Sequence, residues 1–254
     1  MEVAIKEGKY LYCVIGLSQP RTFGPLGIGE RGDELHTVSF NDIAAVTSNC
    51  PVVIYSLSRQ NLLAHEKAIE EVMKEYTVLP IRFSTIAESE DKIRLILEKE
   101  YDNLKDLLNK LEGKKELGLK AIFKENIYNY ILEKYQDIKV LKGKIETLPL
   151  EKTYYQRMEI GRMVEAVLQK EKEVCKEDIL NNLSPLSWEI KTNNTYGERM
   201  IINAAFLVEK HKEKDFDHEV SELDVEYSNR INFKYVVTVP PFNFVNLVID
   251  TGKY

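Results

Sequence analysis

The chain has 254 residues, 44% of them hydrophobic and 30% charged, with 35 basic against 41 acidic side chains and a net charge of −6. This is the composition of a folded protein rather than a disordered one, and the length suggests two domains or one unusually large one. An acidic balance argues against a nucleic-acid footprint, three widely separated cysteines make no disulfide framework, and no apolar run has the length of a membrane span.

The stretch before Tyr10 alternates lysines with Glu2 and Glu7 and carries no secretory apolar segment, so a reducing cytoplasm is the expected compartment. Tyr10–Gly16 (YLYCVIG) predicts a buried strand closed by glycine. Leu35–Phe40 and Ile43–Ser48 flank Asn41 and Asp42, residue types that accept left-handed backbone angles, and predict a tight hairpin. Ser58 is placed to cap a helix running through Tyr76, with Leu62, Ile69, Val72 or Met73, and Tyr76 on one face. Leu79–Phe83 predicts a strand, and Pro80, lacking an N–H, puts it at a strand start or an edge. Glu88–Leu111 predicts one long helix. Its stripe of Ile93, Leu97, Tyr101, Leu104, Leu108 and Leu111 is followed by Gly113 as a left-handed cap. Lys115–Phe123 switches to period two, with Leu117, Leu119, Ala121 and Phe123 on one face and Glu116, Lys120 and Ile122 on the other.

The order βββαβαβ predicts a modified ferredoxin-like N-terminal domain over residues 1–123. Residues 124–254 predict a second domain, helical plus a ferredoxin-like α/β unit, which makes the fold class α+β. Its elements are a helix over Lys124–Tyr135, a Lys/Gly-containing connector over Gln136–Leu150, and helices over Tyr154–Lys172 and Glu177–Leu183. Strands follow over Leu186–Lys191 and Met200–Val208, then a helix with Phe216, Val220, Leu223 and Tyr227 on one stripe. An alternating strand over Ile231–Val239 leads into a tail, residues 240–254.

Gly27-Ile28-Gly29-Glu30-Arg31-Gly32 matches G-x-G-x-x-G, in which glycines turn a strand into a helix whose N-terminal amides hold pyrophosphate. Here a strand follows instead, and position 52 is Val where an acid would meet the ribose, so the run reads as a flexible surface loop. His211, Asp215 and His218 have a metal-ligating spacing, but they stand opposite Phe216, Val220 and Leu223 among lysines, as a solvated face does. His65 falls on the packed side of its helix and reads as a core or boundary histidine held by one hydrogen bond. Carboxylates such as Glu98 and Glu171 alternate with lysines as surface pairs do, not as acid–base dyads. Tyr12 sits where an RNA-recognition strand carries its stacking aromatic, yet Ile43–Ser48, which would hold the companion motif, has no aromatic. The residues by themselves identify no catalytic, cofactor-binding or metal site.

A succession of segments is more specific than any motif: YLYCVIG at Tyr10–Gly16, FNDIAAVTS at Phe40–Ser48, RQNLLAHEKAI at Arg59–Ile69 and LPIRFSTI at Leu79–Ile86. It continues with GKKELGLKAIF at Gly113–Phe123, MIINAAFLV at Met200–Val208 and PPFNFVNL at Pro240–Leu247. In this order they resemble the gas vesicle protein F/L family, and RQNLL and PFNFVNL look closer to its F branch. The chain departs from that family at Ser84, where glycine is usual. It departs again at Val237-Thr238-Val239-Pro240, in place of a Gly-Pro-Trp-Pro run, which predicts a longer strand before Pro240 and Pro241 stop it.

The resemblance implies a non-enzymatic protein without cofactor, located at the gas vesicle in the cytoplasm. Its expected role is that of a minor structural or accessory component that binds the main hydrophobic shell subunit, assists assembly and prevents aggregation. Other gas vesicle accessory proteins are further expected partners, whereas nucleic acid is not. The contact surface is expected at a sheet edge or at the tail residues Phe242, Phe244 and Val245, against the competing reading that these pack onto a domain and anchor the C-terminus. Two other classes stay open, a nucleotide or small-ligand enzyme using Gly27, Gly29 and Gly32, and an RNA-binding ferredoxin-like module.

Overall fold

The computed structural model describes residues 6–245 and 247, which fold into two units, each with its own antiparallel sheet and helices. The first unit comprises the chain up to Glu116 together with the segment from Thr238 onward, and the second comprises Leu117–Val237.

The sheet of the first unit is built from β1 (Glu7–Ile15), β2 (His36–Phe40), β3 (Ile43–Pro51) and β4 (Val78–Pro80), in the order β2-β3-β1-β4. A two-residue strand, β5 (Ile86–Ala87), also pairs with β1. β1 is central because it is apolar on both faces: every side chain from Tyr10 to Ile15 is buried. Asn41 adopts φ 52° at the β2–β3 turn, as the hairpin chemistry requires, and Pro80 lies in the edge strand, where a missing donor costs no ladder bond. Helix α1 (Arg59–Met73) starts at Ser58, whose hydroxyl accepts from the Asn61 amide. Its packed face is His65, Ala68, Ile69 and Val72; Leu62, expected on that face, is exposed.

The long helix expected over Glu88–Leu111 is two helices, α2 (Glu90–Lys99) and α3 (Tyr101–Leu111), broken at Glu100 with φ −97° and ψ 8°. The stripe of Ile93, Leu97, Leu104, Leu108 and Leu111 is buried as expected, but α2 lies against β2 and β3 while α3 lies against β4. A straight helix cannot follow strands that twist away from one another, so the axis changes direction between them. Gly113, at φ 70°, ends α3.

β6 (Lys114–Phe123) has the expected period, with Leu117, Leu119, Ala121 and Phe123 all buried, but it does not join the first sheet. It lies inside the second sheet, whose other members are β7 (Glu189–Thr192), β8 (Met200–Glu209) and β9 (Ile231–Val239), in the order β7-β8-β6-β9. The ferredoxin-like reading of residues 1–123 therefore loses its last strand, and the units divide between Glu116 and Leu117 rather than after Phe123. A period-two pattern states that one face is buried, not which sheet buries it.

The second unit also holds α4 (Ile127–Lys134), α5 (Gln136–Ile145), α6 (Tyr154–Leu183) and α7 (Glu213–Glu226). The region expected as a connector is largely helical because Ile138 and Ile145 are buried two turns apart while α5 packs on α4 and α6. α6 is one continuous helix rather than two. Leu168, Glu171, Lys172, Cys175, Ile179 and Leu183 form its buried face, and the two charged members disguise that stripe in the sequence. α7 places Phe216, Val220 and Leu223 on the core as predicted, with Phe206 and Phe216 rings 5.2 Å apart.

Candidate functional site

The first unit carries a run of apolar side chains that the fold leaves in solvent. Pro51 ends the β3 ladder, and Val52, Val53, Ile54, Tyr55, Ser56 and Leu57 lead to the Ser58 cap of α1. Ile54 is 96% and Leu57 77% exposed, with Val52, Val53, Leu62 and Leu63 exposed around them. Burying one such side chain is worth about 1.5–3 kcal/mol, so a row of them in water is a marked cost and the usual mark of a contact surface.

The run is held in shape. The Val52 amide donates to the Lys6 carbonyl at 2.8 Å, and Asn61 donates from its side chain to the Ser56 carbonyl at 3.0 Å. Tyr55 turns inward, its ring edge-on to Tyr10 at 5.6 Å, and burial pushes its hydroxyl up to about 12. With Tyr55 anchored inside, its neighbours Ile54 and Leu57 are presented outward.

Beneath this surface lies a polar–aromatic cluster. His65 is 3% exposed, and burial lowers its pKa to about 4, so the ring is neutral. Its Nε2–H donates to the Ile81 carbonyl at 3.1 Å, which leaves Nδ1 to accept from the Tyr10 hydroxyl at 3.1 Å. The Tyr10 oxygen in turn accepts from the Ser84 amide at 2.8 Å. His65 is thus a core histidine, as expected, but held by two hydrogen bonds rather than one.

The tail residues expected to meet a partner divide. Phe244 and Val245 are buried in the first unit, as the competing anchoring reading requires, while Phe242 is 41% exposed and lies over His65 with ring centroids 6.2 Å apart. Asn243 fastens the segment: its amide donates to the buried Glu116 carboxylate at 3.1 Å and its side chain at 2.5 Å. Of the expected contact residues, Phe242 alone offers a surface, one helical turn from Leu62 through His65.

The other candidates resolve differently. The glycine run is not a flexible loop: Ile28 is fully buried, its amide donates to the Tyr12 hydroxyl at 2.7 Å, and the Gly27 amide donates to the Asp33 carbonyl at 2.9 Å. A Cβ on Gly27 would stand 2.7 Å from that carbonyl oxygen. The run leads into β2, so no helix N-terminus faces it. Tyr12, the residue that could have stacked on a base, is fully buried. His211, Asp215 and His218 are exposed, and among the described residues no group of three His, Cys, Asp or Glu side chains is placed to hold a metal. No described helix is long and apolar enough to cross a membrane.

The run from Val52 to Leu57 was not singled out in the sequence because it falls between elements, where apolar residues have no periodicity to be measured against. The signal was there: VVIYSL is an apolar stretch directly between a proline and a helix cap.

Residues 8–246 match the family described as gas vesicle synthesis protein GvpL/GvpF. The chain is 27% identical over 242 residues to gas vesicle protein F of Dolichospermum flosaquae, covering 94% of this chain and 97% of that one. The crystal structure of the gas vesicle protein GvpF from Anabaena sp. PCC7120 superposes with a TM-score of 0.81 at 25% identity, over 96% of this chain and all of that one. GvpF from Microcystis aeruginosa shares the fold, with a TM-score of 0.76 at 24% identity over 94% of this chain and 99% of that one.

Proposed function

Because the chain belongs to the gas vesicle synthesis protein GvpL/GvpF family, we propose that it is a non-enzymatic accessory protein of gas vesicle assembly. In this role it binds the main hydrophobic shell subunit and keeps it from aggregating before it polymerises. The supporting observation is the exposed apolar run Val52–Leu57, set in a fixed conformation over a rigid aromatic base. A surface of this kind covers an amphipathic helix or hairpin of the partner, with Phe242 at its margin, while the net charge of −6 keeps the rest of the complex dispersed. Other gas vesicle accessory proteins are secondary partners in this reading, and gas vesicles are its place of action.

The test is co-expression with the shell subunit followed by affinity recovery of this chain, comparing wild type with the double variant Ile54→Lys, Leu57→Lys. Both positions are solvent-exposed, so the variant keeps its fold within about 0.5 kcal/mol per site. Recovery of soluble shell subunit is expected to fall at least about tenfold, the equivalent of 1.4 kcal/mol. Equal recovery by the variant would reject this surface, and no recovery by wild type would reject the function.

A further inference from the structure

Where α5 gives way to α6 in the second unit, apolar side chains stand in solvent. Leu150 is 69% and Tyr155 77% exposed, with Leu148, Tyr154 and Met158 exposed near them in the chain. They are held in place. Thr153 is fully buried; its hydroxyl donates to the Leu150 carbonyl at 3.2 Å and accepts from Arg157 Nε at 2.9 Å. The Lys152 amide donates to the Pro149 carbonyl at 3.0 Å, and the Tyr154 and Tyr155 rings meet edge-on at 5.5 Å. Arg157 also lines a groove of about 380 Å³, together with Leu132, Lys142, Ile145, Glu146 and Ile160.

This region is opposite in sign to the chain as a whole. Residues 138–162 hold six basic side chains against three acidic ones, in a protein of net charge −6. None of the six, Lys139, Lys142, Lys144 and Lys152 among them, forms an ion pair with a described residue. An exposed apolar surface set among uncommitted cations fits an acidic, amphipathic partner. A lipid surface is flat and leaves a concave groove unfilled, whereas side chains rising from a helix enter one.

The chain itself carries such a helix. α7 has seven acidic side chains and one lysine, Lys214. Asp215, Glu219, Glu222 and Glu226 recur at spacings of four, three and four, which makes a stripe about 16 Å long beside the buried Phe216, Val220 and Leu223. None of these four forms an ion pair with a described residue, and Val225, 73% exposed, adds an apolar side chain to the outer surface of the same helix.

We propose that the end of α5 and the start of α6 dock α7 of a second copy of this chain. The acidic stripe lies on the unpaired lysines, and Val225 lies among the exposed apolar side chains. The two surfaces differ, so each copy holds a neighbour with one and is held through the other. Both belong to the second unit, whereas the Val52–Leu57 surface belongs to the first.

The test is sedimentation velocity of the full chain over a range of concentrations, at low and at high sodium chloride. A mass above that of one chain is expected at low salt, rising with concentration and falling back at high salt, because contacts between exposed charges are screened. Two double variants, Lys139→Glu with Lys142→Glu and Glu222→Lys with Glu226→Lys, alter exposed positions only and keep the fold within about 0.5 kcal/mol per site. Each alone is expected to associate at least about tenfold more weakly than wild type. An equimolar mixture of the two is expected to recover association, since each then supplies the sign that the other's surface meets. A wild type that stays monomeric at low salt, variants that associate as wild type does, or a mixture that recovers nothing overturns the proposal. Monomeric wild type that floats with phosphatidylserine vesicles, where Lys139→Glu with Lys142→Glu does not, assigns the surface to lipid and overturns it too.

Discussion

The Tyr10 hydroxyl stands 3.1 Å from His65 Nδ1, joining the central strand of the first sheet to α1 across 55 residues of sequence. The direction of each proton in this chain is determined by its ends. The Ser84 amide can only donate and the Ile81 carbonyl can only accept, so Tyr10 donates to a neutral His65 and no other arrangement satisfies all four groups.

Acid should therefore weaken the first unit before it reaches the carboxylates. Burial depresses the folded pKa of His65 to about 4 from an ordinary 6.5, so its contribution is fully present above pH 6.5 and is lost as pH falls from there through 4. At about 1.4 kcal/mol per pH unit the whole effect is on the order of 3 kcal/mol. Urea midpoints of wild type and His65→Gln between pH 7.5 and 4 check this: wild type should lose stability steeply in that window and the variant should lose this component of the slope.

Ser84 adopts φ 64°, a left-handed conformation that costs a side-chain-bearing residue about 1–2 kcal/mol. Its hydroxyl returns little, accepting from the Tyr55 amide at 3.4 Å. Ser84→Gly should accordingly raise unfolding stability by up to about 1 kcal/mol, part of the gain being offset by the freer unfolded glycine. Ser84→Val should lower it by at least as much, because branching at Cβ worsens the same clash. Thermal or urea unfolding of the pair decides the order.

Asn243→Ala removes the side-chain hydrogen bond to the buried Glu116 carboxylate and leaves the one from the residue 243 backbone amide. The expected cost is about 2 kcal/mol, since a buried charged acceptor loses a donor. Limited proteolysis should then cut near Phe242 faster in the variant while leaving the second unit intact. Equal cleavage rates would mean that Phe244 and Val245 alone hold the segment.

In the second unit Glu171, 8% exposed at its side chain, accepts from Tyr135 at 2.6 Å, Lys134 at 2.9 Å and Arg230 at 3.2 Å. Burial alone would raise its pKa, but the hydrogen bonds from Tyr135 and Lys134 outweigh that and hold it below the usual carboxylate value. Its stabilisation is thus present above the unfolded glutamate pKa and fades as pH falls through the lowered one. Glu171→Gln should cost about 2 kcal/mol at neutral pH, less than a fully enclosed pair would because Lys134 and Arg230 keep access to water. Denaturant unfolding measures it directly.

Much of the local structure was legible in the residues. The Asn41 turn, the Ser58 cap, the Gly113 stop and the α7 stripe each depend on groups within a few positions of one another, and each stands as predicted. The candidate surface was less legible. Phe242, Phe244 and Val245 look alike in sequence, and only the Glu116–Asn243 bonds and the His65 ring separate the exposed one from the two buried.

By itself the sequence determined the period and ends of most elements, the family resemblance and the absence of any familiar catalytic constellation. Tertiary structure alone decided that β6 enters the second sheet, that α6 runs unbroken through Glu171 and Lys172, and that the helix expected through Glu100 changes direction there. The reason is physical. Capping and turn formation are settled by hydrogen bonds over a few residues, whereas the partner of a strand, and the burial of a charge, depend on groups far away in the chain.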